Sequence, residues 1–269
     1  MISFEMFLYF LIGCTGGLTV ASWHGFKDPP WEGFFSLRFL RSIIIAGIIA
    51  VFLLYLQDLG FLEKIDNLGV VFLSALSLER LVGEIRKGFL RKSIHPEFER
   101  VFVIWKLPIY YRSFLVRIAI GIIITLMMLL VLIFYIKLPD YLSSFMMNKG
   151  SLSILLGFIG GMSSAIAGAW KDSPQEGFLI KKFVRSPIAG IIGGAIIGLI
   201  SNSLSMFIIA SIGFERIAVE FYKTFWTKSP RGMFKGKRPK HPEWFKKRWI
   251  FFVSYSIGVI ILALALIFA

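Results

Sequence analysis

The sequence predicts an all-α integral membrane protein: eight transmembrane helices in two tandem parallel four-helix repeats, related by a pseudo-twofold along the membrane normal. Three observations predict it. Of the 269 residues 57% are hydrophobic and 28 are Phe, where soluble domains hold about 45–50% apolar residues. The mean hydropathy is +0.76. Long charge-free runs recur along the chain, and three motifs occur twice in the same order. At this length a multi-helix bundle leaves no room for a sizeable soluble domain, so function must reside in the helices and their short loops.

The duplication fixes the frame. Lys27 to Ser42 aligns without gaps to Lys171 to Ser186, with nine identities in sixteen positions, and Gly13, Gly16, Gly17 and Ala21 recur at the same offset of 144 as Gly157, Gly160, Gly161 and Ala165. Glu79-Arg80, Glu84, Lys87 and Phe89 recur as Glu215-Arg216, Glu220, Lys223 and Phe225, and His95-Pro-Glu-Phe98 as His241-Pro-Glu-Trp244. Repeat 1 covers 1–138 and repeat 2 covers 139–269.

Helix A is expected over 3–25. The start lacks the basic flank of a signal peptide, so this apolar stretch is expected to remain as a span. Its small residues at Gly13, Gly17 and Ala21 line one face, repeated in A′ (150–170), and are expected to pack A against A′ at the pseudo-twofold. Helix B (37–57) and its copy B′ (181–201) begin with cations that snorkel to the interface. Helix C (67–91) and C′ (203–226) have apolar runs too short to span alone. D (113–137) and D′ (247–269) are long enough.

Charge decides whether C crosses. With four crossings per repeat, 27 of the 30 Lys and Arg fall on one side, leaving Lys64, Lys137 and Lys149 on the other; with three crossings they split 16 to 14. The positive-inside rule favours four, with both termini non-cytoplasmic. The net charge of +14 then orients the protein and attracts anionic lipid head groups rather than nucleic acid.

The A–B connection, Lys-Asp-x-Pro-x-Glu-Gly-Phe, is the most specific motif. Pro30 and Gly33 turn the chain tightly. Asp28 is expected to cap the next helical turn or to pair with Arg41. Alternatively Asp28, Glu32, Asp172 and Glu176 form an acidic ring at the cytoplasmic mouth, as in cation-selective pores. On helix C, Arg80, Glu84 and Lys87 share one face, as do Arg216, Glu220 and Lys223. Glu79 lies about 18 Å along helix C, inside the hydrocarbon layer, and Glu215 is its copy. Charges at that depth pair with each other, line a wet cavity, or lock the halves together.

Other chemistries are excluded or weak. The single Cys14 cannot build a disulfide framework or a thiolate metal cage. One His per C–D loop, His95 and His241, is a poor metal site, so no metal and no cofactor are expected. There is no nucleophile elbow, paired helical His, P-loop or Asp-rich diphosphate motif, which disfavours an enzyme. The first expectation is therefore a cation channel or small-solute transporter, using Glu79 and Glu215 as intramembrane ligands with Arg80 and Arg216 beside them. The second is a phospholipid or polyprenyl-phosphate binding protein or enzyme using Lys27, Arg41, Lys171 and Arg185. The third is a membrane scaffold or accessory subunit whose basic loop 223–248 docks an acidic partner. Homo-oligomerisation is compatible with each.

Overall fold

The computed structural model describes residues 3–90, 103–104, 107–108, 114–144, 148–228 and 238–268, with the side chains of 88, 90, 103–104, 107–108 and 171–176 outside the description. The motif His95 to Phe98 therefore lies outside it. So do the side chains of Lys171, Asp172 and Glu176.

Ten α-helices make up nearly all of the described chain. In order they are α1 (Phe4–Lys27), α2 (Pro29–Glu32), α3 (Ser36–Asp58), α4 (Leu68–Ile85), α5 (Phe114–Ser143), α6 (Lys149–Glu176), α7 (Ile180–Ile200), α8 (Phe207–Phe221), α9 (Trp244–Lys247) and α10 (Trp249–Phe268). Helices α4 and α8 each run on into a π-helical turn, Arg86–Leu90 and Tyr222–Trp226. A two-residue antiparallel ladder joins Val103–Ile104 to Leu107–Pro108.

Among the described residues, six helices are long and apolar enough to cross a membrane: α1, α3, α5, α6 over Lys149–Trp170, α7, and α9 with α10 over Trp244–Phe268. The other two of the eight expected crossings, α4 and α8, are 18 and 15 residues long and carry Glu79–Arg80 and Glu215–Arg216. Length and charge keep them out of that set. They are instead the centre of the molecule. Phe72, Leu73 and Leu76 of α4 and Phe207 and Ile208 of α8 are fully buried, and α8 approaches α4 so closely that a Cβ on Gly213 would run into the Leu73 carbonyl.

The small-residue stripes do not bring α1 to α6. A Cβ on Gly13 or Gly17 would strike the backbone of Ala46 or Ser42 in α3, and one on Gly157 or Gly161 the backbone of Gly190 or Ser186 in α7. The stripe thus serves close packing within each half, because a helix without side chains on one face accepts its nearest sequence neighbour backbone to backbone. Contact between halves comes from α4 with α8 and from α10 lying on α1, where Gly258 faces Thr19 and Gly25 faces Phe251.

At the end opposite the Lys-Asp motifs, the α3–α4 loop clasps the α7–α8 loop. Ser201 Oγ and the Asn202 N–H both donate to Asp66 at 2.6 Å, and the Leu204 N–H donates to Glu63 at 3.2 Å. Burial disfavours the ionised form of Asp66, but these donors outweigh it and hold the carboxyl below its ordinary value.

Candidate functional site

The chemistry-bearing residues gather where the α1–α3 and α6–α7 turns meet the distal ends of α4 and α8. Each turn reverses at a glycine with positive φ, Gly33 (77°) and Gly177 (75°), a backbone state that favours glycine. Because α3 and α7 start directly after these turns, their first cations face the charged ends of α4 and α8.

In the first half, Glu79 is 4% exposed, with Ser42, Arg80 and Arg41 around its carboxyl. Its Oε2 is buried with no hydrogen-bond partner. Arg80 donates to His24 Nε2 at 2.5 Å and to Glu84 at 3.1 Å, and Lys87 lies 3.6 Å from Glu84. Arginine can only donate, so His24 Nε2 is the acceptor and the ring proton sits on Nδ1, 3.7 Å from Asp28. Asp28 stands at the N-cap of α2 without a side-chain capping bond, so the expected cap is absent, and the imidazole one turn back lies beside its carboxylate. Glu32 pairs with Arg38 at 2.8 Å. Both described members of the expected acidic ring thus have a basic side chain beside them.

In the second half, Glu215 is fully buried. Ser186 donates to its Oε1 at 2.6 Å and Arg216 Nε lies 3.2 Å from its Oε2. Arg216 also donates to the Ser164 hydroxyl at 3.2 Å and carbonyl at 3.4 Å. Glu220, one helical turn beyond Arg216, meets Lys27 of α1 at 2.6 Å, a pair across the two halves with both side chains largely buried. Tyr255 of α10 packs close by and donates to the Ile217 carbonyl at 2.9 Å.

Beside Glu215 opens a cleft of about 60 Å³ between α6, α7 and α8. That volume is large enough for more than one water molecule. Lys182, Arg185, Arg216 and Lys223 line it together with Ser164 and Ser186, and Arg185 Nε is buried there with no hydrogen-bond partner. The neighbouring Phe178, Leu179 and Ile180 are 59%, 45% and 66% exposed, an apolar apron at the mouth of a cationic hole. No group of three metal-ligating side chains occurs among the described residues.

Of the expected site residues, Arg185 and Arg216 meet in the cleft, Arg80 and Glu84 meet in the first half, Lys27 and Glu220 join the halves, and Arg41 is half-buried near Glu79. Sequence reasoning missed His24, Ser164 and Lys182 as site residues. It also passed over Ser42 and Ser186, although these close the sixteen-residue alignment as an identity. Comparison with known families, with curated proteins and with solved structures finds no match to this chain.

Proposed function

We propose that this multi-pass membrane protein binds a phosphate-bearing lipid head group, taken from the cytoplasmic leaflet into the cleft between α6, α7 and α8. The observation behind the proposal is the convergence of Lys182, Arg185, Arg216 and Lys223 on a small cavity whose mouth is apolar and exposed. Arginine pairs geometrically with phosphate. The apolar apron would take the start of an acyl or polyprenyl chain, which a purely polar solute would not use. The setting proposed is a tandem duplication with eight crossings and both termini non-cytoplasmic, α4 and α8 completing the two repeats. Its support is the matched packing of Gly13 and Gly17 on α3 and of Gly157 and Gly161 on α7, together with the matched placement of Ser42 beside Glu79 and of Ser186 beside Glu215. The experiment is lipid retention through detergent purification. The wild-type chain should retain anionic phospholipid, and Arg185→Gln/Lys223→Gln should lose most of it; equal retention would overturn the reading.

A second reading, passage of cations or protons through the bundle, is favoured by one specific observation: the unpartnered Oε2 of the buried Glu79. Ionisable groups at such depth are costly and are usually functional. Liposome flux that is identical in wild type and Glu79→Gln/Glu215→Gln would end it.

A further inference from the structure

The Glu-Arg pair of α4 recurs in α8, but its two carboxyls lie in different surroundings. Glu215 is closed on its neighbours: Arg216 Nε stands 3.2 Å from its Oε2, and Ser186 donates to its Oε1 at 2.6 Å. In the aligned pair the arginine turns away. Arg80 donates to His24 Nε2 at 2.5 Å and to Glu84 at 3.1 Å, and the Glu79 Oε2 is left buried with no hydrogen-bond partner. The Glu215 Oε2 lacks an aligned hydrogen bond as well, yet a guanidinium lies against it. Among the described residues no ion pair holds Glu79, because Arg80 and Lys87 both reach Glu84 instead. The imidazole that engages Arg80 has no copy in the second half, where the aligned residue is Gly168.

We infer that Glu79 is a proton-binding site: its carboxyl holds a proton at neutral pH, Glu215 stays paired with Arg216, and His24 sets the difference by holding Arg80 away. This rests on the alignment of the two halves and deepens the second reading above, since it names the proton as the ion and Glu79 as the group that carries it. A carboxylate oxygen buried without donor or counter-ion is costly, and a carboxyl so placed takes up a proton rather than keep its charge. Glu79 is 4% exposed, so water does not supply the missing donor. The charged groups facing it are Arg41 from α3, next to Ser42, with Arg80 and Lys87 from its own helix. These favour the anion through space. Each is engaged elsewhere, however: Arg80 by His24 and Glu84, Lys87 by Glu84 at 3.6 Å, and Arg41 lies close to the like charge of Arg86. From α1 comes His24 itself, neutral because its Nε2 accepts from Arg80, with Asp28 on its far side at 3.7 Å. The ring is steadied edge-on by Trp23, with centroids 6.1 Å apart, which keeps the acceptor in front of Arg80.

The test is infrared spectroscopy of the full chain in lipid at neutral pH, where a protonated carboxyl gives a C=O stretching band apart from that of a carboxylate. The difference between wild type and Glu79→Gln should contain one such band, and the difference between wild type and Glu215→Gln should contain none. The band should fade as the buffer is made alkaline. His24→Leu, which removes the acceptor and lets Arg80 turn back to Glu79, should lose the band; His24→Gln, whose amide oxygen still accepts from Arg80, should keep it. No band from Glu79, or a band from Glu215 as well, would overturn the inference. An undiminished band in His24→Leu would overturn the part given to His24. A thermal midpoint for each variant separates unfolding from a lost proton, and the two glutamate variants decide even where His24→Leu does not fold. Proton flux in liposomes reports on the second reading separately: a Glu79 band without flux would end that reading and leave the proton site standing.

Discussion

Lys27 and Glu220 carry the strongest residue-level prediction. Each is buried against the other across the two halves, so removing one leaves a charge in a low-dielectric site, at a cost of about 3–5 kcal/mol. Glu220→Gln should therefore lower the thermal midpoint in detergent sharply, and Lys27→Met/Glu220→Leu should recover most of the loss; equal midpoints for the single and double variants would contradict the pairing. These partners were only half legible in the sequence. The charges themselves stand out in an apolar chain, and their depth follows from counting along a helix. Which charge meets which does not: local spacing pointed Glu220 at Arg216 and Lys223, and the observed partner is 193 positions away on another helix. His24 was hidden for a different reason. A lone imidazole inside an apolar run reads as packing, and its contact with Arg80 emerges only in the structure.

At the scale of elements, apolar runs translate well into helices: α3 was expected over 37–57 and spans Ser36–Asp58, and α7 was expected over 181–201 and spans Ile180–Ile200. Continuous side-chain hydrophobicity with no β-breaking punctuation leaves a bilayer segment little choice. Neighbour choice was less legible. A small-residue face says that some backbone will come close and is silent on which, and here it is α3 and α7 rather than the other half. Glycine substitutions discriminate these roles. Gly213→Ala, whose Cβ would meet the Leu73 backbone carbonyl, should cost about 1–3 kcal/mol through overpacking. Gly168→Ala, whose Cβ meets nothing within 4 Å among the described residues, should cost less than about 1 kcal/mol, the helix-propensity gain working in its favour. Thermal midpoints in matched detergent check both.

For the molecule as a whole, the clasp of the α3–α4 loop on the α7–α8 loop ties the halves together at one face. Because Asp66 is held below its ordinary value, its bonds to Ser201 and Asn202 contribute stability that is complete at neutral pH. That contribution is lost as pH falls below about 4 and the carboxyl takes up its proton. Asp66→Asn should flatten this acid limb in a pH series of midpoints, and an unchanged limb would place the acid sensitivity elsewhere. The proposed orientation has its own check. With Cys14 replaced by Ala, a cysteine at Lys64 should react with an impermeant thiol reagent from outside cells, and one at Lys246 should react only after permeabilisation.

The contact of α10 with α1 also bears on how the protein is made. Lys27 and Trp249 are 222 positions apart, so α1 enters the bilayer long before the helix that covers its Thr19 and Gly25 face is synthesised. During that interval the α1 surface must be sheltered by lipid, by the insertion machinery or by a temporary neighbour. Assembly of the finished bundle is thus a late, post-insertion event, and a substitution in α10 can expose α1 to quality control without touching any residue of the cleft.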